Sequence, residues 1–281
     1  MAKILWISHT SLSSSETFIA NTLQMLKSNH EVFALSGGSP DLCASPNSGI
    51  EFTGHALIKE NTFEKVRRHA FYARTFDDRR AKRLKHDVMK RLGTFQPDLV
   101  WLCYGTTAFD ARLLLKAIKV PYVIEVHGYD ISSQFSNAFY KAGFVSVANK
   151  SSAVICASHH TRRLCTVAGV NPTLPTVIRH SLDANRIRPK NIQKTTFPSF
   201  VHFGRLTDKK QPLTTLEAFR ICLQKHPDAK FTFIGSGHLE KELHNRIAQH
   251  NLHESVTILP GMPQERAFEF IESQWVFCQH S

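Results

Sequence analysis

Short apolar runs of four to seven residues alternate along this chain with longer amphipathic stretches, and that alternation constrains the fold more than any other feature. Strands buried on both faces read as such runs, and the helices that cover them supply the stretches between, so the pattern predicts parallel sheets with helices on their faces. The first half carries predicted strands at 3–8, 31–36, 98–103, 122–127, 153–158 and 176–179. Predicted helices lie between them at 16–27, 63–92, 108–118, 137–150 and 160–167. This is a doubly wound α/β domain over residues 1–187. A polar stretch rich in Lys and Pro, within 188–198, reads as a linker. The alternation then restarts, with strands at 199–203, 230–234, 255–259 and 275–278 and helices at 212–225, 239–251 and 263–272. Four strands and three helices make about half of a second Rossmann-like domain, and no helix follows the last strand, so this domain at 199–281 is expected to be incomplete.

Composition removes competing classes. Apolar residues make up 42% of the 281, which is too many for a disordered chain, and 13 Gly with 12 Pro exclude collagen-like or low-complexity material. No run reaches the ~18–20 apolar residues of a spanning helix, and Ile4-Leu-Trp-Ile7 is too short for a signal-peptide core. The six cysteines form no Cys-x-x-Cys pair and read as reduced thiols of a cytoplasmic protein. A metal set drawn from Cys156, His159, His160 and Cys165 matches no common zinc spacing, and no metal site is expected.

Four loops at carboxyl ends of predicted strands carry the candidate chemistry, because ligands of open α/β sheets bind at that edge. The first contains Ser13, Ser14, Ser15 and Glu16, where Ser13-x-x-Glu16 fits a capping box and the hydroxyls could also meet a polar or anionic ligand. The second is His127-Gly-Tyr-Asp130, in which Asp130 can accept hydrogen bonds from hydroxyls. The third joins Gly204 and Arg205 to Lys210 ahead of Pro212. Its guanidinium, ammonium and helix N-terminus together suit a diphosphate. The fourth is the Gly235-Ser-Gly237 turn, which offers backbone amides or simply makes a tight connection.

As a set these residues resemble the retaining GT-B glycosyltransferases of family 4. The resemblance rests on Glu125-x-His127-Gly-x-Asp130, Ser181-Leu-Asp183-x4-Arg188-Pro189, Gly204-Arg205-Leu-x3-Lys210, Phe233-Ile-Gly235-x-Gly237 and Val256-x2-Leu-Pro-Gly261. Ser15-Glu-Thr-Phe-Ile19 and the ending Trp275-Val-Phe-Cys-Gln-His-Ser281 look like members that build bacterial exopolysaccharide, such as colanic-acid-type enzymes. The resemblance implies a hexosyltransferase that needs no metal or other cofactor and works in the cleft between two domains. The second domain would hold a nucleotide-diphosphate sugar and the first a saccharide or lipid-linked acceptor. Arg205 and Lys210 would neutralise the departing diphosphate, and His127 and Asp130 would meet the transferred sugar. Gly204, Gly235, Gly237, Gly261 and Met262 would line the nucleotide. Two departures stand out: the first loop lacks the paired glycines of many members, and the family's Glu-x7-Glu segment does not occur before Ser281. The expectation is therefore a C-terminally truncated transferase with activity lost or much reduced. A non-catalytic remnant or binding module of the same fold is the alternative.

The net charge of +12 is local. Eleven Lys and Arg lie between 65 and 91 against three acids, a surplus of eight. A solvated helical face, peripheral contact with the anionic inner face of a membrane, and nucleic-acid binding are the three readings of such a segment. No recognised nucleic-acid module accompanies the charge, so no nucleic-acid partner is expected.

Overall fold

The structure is a computed structural model and describes residues 1–8, 17–36, 50–52, 73–180 and 193–280. Ser13, Ser14, Ser15 and Glu16, residues 53–72 of and before the basic segment, and the 181–189 motif lie outside the described residues. The chain divides into two compact units, Met1–Leu182 and Asp183–Ser281.

The first unit contains β1 (Lys3–Ser8), α1 (Thr17–Asn29), β2 (Glu31–Ser36), β3 (Ile50–Phe52), α2 (Ala73–Leu92), β4 (Leu99–Cys103), α3 (Gly105–Asp110), α4 (Arg112–Ile118), β5 (Tyr122–Val126), α5 (Ala138–Ala148), β6 (Ala153–Cys156), α6 (His159–Ala168) and β7 (Pro175–Val177). Its strands pair in parallel in the order β3-β2-β1-β4-β5-β6-β7. Strand order reverses between β1 and β4, which makes their carboxyl ends the natural crevice of this sheet.

The alternation along β1 shows how the two faces are filled. Leu5 and Ile7 enter the core built with Leu84 and Val88 of α2, Phe109 of α3, Leu114 of α4 and Phe144 of α5. Trp6 points the other way, onto Ile19 and Leu23 of α1. All three β1 side chains are fully buried, as a strand covered on both faces requires. The same alternation sends Leu102, Ile124 and Val126 to the α2–α5 face and Cys103 to the α1 face.

Sequence periodicity missed β3, whose three residues pair with Ala34, Leu35 and Ser36 of β2. It also read 108–118 as one helix where the structure has two. The first begins three residues early because the Asp130 carboxylate, from the far side of β5, accepts a hydrogen bond from the Gly105 amide at 2.7 Å. At the junction, Arg112 donates to the Phe109 carbonyl at 2.8 Å and lies over the Phe109 ring at 4.5 Å.

The second unit contains β8 (Ser199–Phe203), α7 (Pro212–Leu223), β9 (Lys230–Ile234), α8 (Glu240–Gln249), β10 (Val256–Leu259), α9 (Gln264–Glu272) and β11 (Val276–Phe277). Its sheet is parallel throughout, in the order β10-β9-β8-β11. The core stacks Phe200, Phe219, Phe231 and Phe233, with the Phe231 and Phe233 ring centroids 4.4 Å apart. Residues read as the end of a linker are bonded into this unit: Thr195 donates its amide to the Ser273 carbonyl, and the Trp275 indole donates to the Thr195 carbonyl at 2.8 Å.

Two loops of this unit are packed backbone to backbone. A Cβ on Gly235 would lie 2.0 Å from the Gly204 oxygen, and one on Gly237 would lie 2.2 Å from the Leu206 oxygen. Gly235 also has φ +147°, a conformation that side-chain-bearing residues rarely adopt. Gly235→Ala is therefore expected to lower unfolding stability by ~2–3 kcal/mol, seen as a drop in the urea midpoint at constant m value.

Candidate functional site

In the first unit the site grows from strand register. Cys103, the last residue of β4, is the direct partner of Glu125 in β5. Partners across a ladder share a face, and His127, two residues beyond Glu125, continues on it. Three reactive side chains are thereby set on the α1 side of the sheet. The His127 Nε2 lies 3.4 Å from the Cys103 sulfur and 3.8 Å from Glu125 Oε1. Trp101, two residues before Cys103, donates its indole N–H to Glu125 Oε2 at 2.9 Å.

The His127 ring is packed on several sides. Phe18 of α1 sits 5.0 Å away, Tyr104 meets it edge-on at 4.6 Å, and His180 stacks on it at 5.5 Å. Only 4% of the side chain is exposed, and Nδ1 is buried without a hydrogen-bond partner among the described residues. Burial, with the neighbouring His180 ring, lowers the imidazole to about 3, so the ring is neutral at physiological pH. Burial raises the Glu125 carboxyl, opposed by the Trp101 bond and reinforced by the nearby Asp130 charge. Tyr104, which delivers one of the flanking rings, has φ +76°, a backbone conformation costly for any residue but glycine.

Asp130, which the sequence suggests as an acceptor for a ligand's hydroxyls, follows β5 by four residues. It is fully buried, and its oxygens accept hydrogen bonds from the Gly105 amide at 2.7 Å and the His127 amide at 3.0 Å. Burial raises its carboxyl while these backbone bonds pull it down. Its carboxylate thus positions His127 and starts α3. Gly128, between them, has φ +105°, which the tight exit from β5 requires.

In the second unit, Gly204 and Arg205 follow β8, Gly235 and Gly237 follow β9, and Gly261 and Met262 follow β10. All six lie at the carboxyl edge of three adjacent strands. The Leu206 amide donates to the Ser236 oxygen at 2.9 Å, and the Leu239 amide donates to the Leu206 oxygen at 3.1 Å, which ties the first two loops together. His238 and Asp208 join them again at 2.7 Å. A short 3-10 turn at Asp208–Lys210 and Gln211, at φ +48°, lead into Pro212 at the start of α7. Arg205 and Lys209 are exposed and Lys210 is half-buried. Partial burial, then the charges of Lys209 and Arg205, lower the Lys210 ammonium, as expected where cations converge.

Sequence reasoning missed the contributions of Cys103, Trp101, Tyr104 and His180 to the His127 cluster. The legible signal was the i, i+2 spacing of Glu125 and His127; the β4–β5 register was not legible. The Cys156, His159, His160 and Cys165 set does not converge on a common point: among the described residues the one His/Cys/Asp/Glu group with metal-ligand spacing is Cys103, Glu125 and His127. Among the described residues no two cysteines are joined in a disulfide.

These two sheets, each with its ligand edge at the carboxyl ends, define a GT-B architecture. Anabaena HepE in complex with UDP and glucose has the same fold, with a TM-score of 0.71 at 16% identity over all of this chain and 74% of that one. The glycosyltransferase family 4 model matches residues 15–186 and the glycosyl transferases group 1 model matches residues 183–281, and the chain belongs to glycosyltransferase family 4. Among curated relatives, the amylovoran biosynthesis glycosyltransferase AmsK of Erwinia amylovora is 24% identical over 186 residues, 65% of this chain and 46% of AmsK. An uncharacterized glycosyltransferase of Methanocaldococcus jannaschii is 35% identical over 83 residues, 30% of this chain and 20% of that protein. The matches thus span less than half the length of either curated relative.

Asp130→Asn would place an amide N–H₂ against one of two backbone donors. It is expected to cost ~1–3 kcal/mol of stability, measured by thermal or urea unfolding.

Proposed function

We propose that this chain moves a sugar from a nucleotide-diphosphate sugar to a saccharide or lipid-linked acceptor in polysaccharide biosynthesis, by a retaining reaction without a metal. The observation that carries this reading is the placement of Arg205 and Lys210 in one loop at the carboxyl edge of the second sheet, beside the crossed Gly204 and Gly235 backbones. Breaking the bond from the anomeric carbon to the diphosphate leaves charge on the leaving oxygen. Fixed cations at that point stabilise the transition state more than the ground state, so they accelerate the chemical step. Nucleotide contacts fall to the Gly235-Ser-Gly237 turn and to Gly261 and Met262. The UDP and glucose named with HepE and the amylovoran pathway named with AmsK support the donor and product classes.

Retention of configuration comes to this reading from the family resemblance. In a retaining transfer of this kind the acceptor proton goes to the departing diphosphate oxygen on the same face, as the new bond from the anomeric carbon to the acceptor oxygen forms. A His127 ring held neutral and weakly basic by burial is compatible with the leaving group taking that proton. His127 meets the transferred sugar, and Asp130 holds the loop that carries it.

Arg205→Ala and Lys210→Ala are each expected to lower kcat with a UDP- or GDP-sugar by about 10²–10³-fold, with no effect of a chelator. Calorimetry on the same variants should show at least tenfold weaker nucleoside-diphosphate binding. Wild-type turnover and binding in both variants would overturn the assignment.

The basic helix supports peripheral membrane contact as the route to a lipid-linked acceptor. Arg79, Lys82, Arg83, Lys85, Lys90 and Arg91 of α2 are exposed, and Met89 among them is 46% exposed. Arg80 turns inward to Asp110 at 2.9 Å. Among the described residues no helix is long and apolar enough to cross a membrane. Replacing Lys82, Lys85 and Lys90 with Glu is expected to weaken binding to anionic vesicles by at least about 1 kcal/mol per site, read by co-sedimentation, with no retention on DNA in either form.

A further inference from the structure

We propose that Cys103, Glu125 and His127 form a binding site for a thiophilic divalent cation of the zinc class. Transfer as described above makes no use of such an ion, and the site depends only on the three donors, so it stands or falls separately from the transfer reading.

The geometry is that of a pre-assembled ligand set. The donor atoms lie within 4.8 Å of one another. The two separations from Nε2, 3.4 Å to sulfur and 3.8 Å to oxygen, lie within about half an ångström of the ~3.5 Å and ~3.3 Å edges of a tetrahedron built with zinc bonds of about 2.0–2.3 Å. Small adjustments of side-chain torsions would therefore seat an ion, with the backbone held by the β4–β5 ladder. A thiolate, an imidazole and a carboxylate are the mixed donor set that suits zinc, and three protein ligands leave a fourth position for water.

Two further features favour a cation here. Cys103 and Glu125 are 0% and 4% exposed, so an ion held by them would be shielded from solvent. One thiolate, one carboxylate and a neutral imidazole around a divalent ion sum to zero charge, which suits a buried site. The carboxylate also has an orienting partner: Trp101 holds Glu125 Oε2 and leaves Oε1 toward His127. Orienting bonds of this kind are a regular part of metal sites.

Cobalt(II) is the probe, because thiolate ligation gives a charge-transfer band and tetrahedral geometry gives intense visible bands. Titrating the reduced 281-residue protein with Co²⁺ is expected to develop both, saturating at one ion per chain and abolished by Zn²⁺. Cys103→Ser should remove the charge-transfer band, while Cys156→Ser should keep it. Trp101→Phe, which leaves all three ligands in place, should weaken Co²⁺ binding roughly 10–100-fold. Absence of the bands in the wild-type protein, or their survival in Cys103→Ser, would overturn the proposal. Should Cys103→Ser fail to fold by circular dichroism, Glu125→Gln takes its place, with loss of the visible bands expected and their full retention overturning the assignment.

Discussion

The buried carboxylate of Asp130 is the interaction on which the first site depends. One side chain accepts hydrogen bonds from the amides of Gly105 and His127, residues that belong to different crossings of the sheet. It thereby fixes where α3 begins and how the chain leaves β5. Around that anchor the β4–β5 ladder brings Cys103 beside Glu125, and Tyr104 accepts an unfavourable backbone conformation to lay its ring against His127. A carboxyl group so deep is tolerated because its oxygens meet backbone donors, a compensation that open solvent would otherwise provide.

Much of this was legible in the sequence, for reasons that differ by element. β1, β2, β8 and β9 were read with their observed bounds because strands buried on both faces are short uninterrupted apolar runs ended by polar residues. The carboxyl-edge loops followed from topology alone. Local pattern could not reach the interactions that cross the sheet. The bond from Gly105 to Asp130 spans 25 residues of sequence, and the early start of α3 was invisible for that reason. Cys103 read as a small apolar core residue; its partnership with Glu125 exists only once β4 and β5 are in register.

The two units use opposite means to prepare their ligand edges. In the first, side chains are buried and their basicity suppressed, so that His127 stays neutral. In the second, cations are left at least partly in solvent, and the charges of Lys209 and Arg205 add to partial burial in lowering the Lys210 ammonium. Like charges held in one loop are the arrangement that the diphosphate of the proposed donor would relieve. The basic face of α2 is a separate matter, because its cations are spread along one helix and Arg80 is committed to Asp110.

The packing of Gly235 and Gly237 against the Gly204 and Leu206 carbonyls has a consequence for how this half of the molecule can change. The loops after β8 and β9 share one surface with no room for a methyl group between them, and they are cross-bonded through Leu206, Ser236 and Leu239. Neither can be lengthened, shortened or exchanged without the other. Any loop graft on this edge must therefore move 204–211 and 235–239 as a single cassette, and the freedom to diversify falls to the loop after β10, where a Cβ on Gly261 would meet nothing within 4 Å.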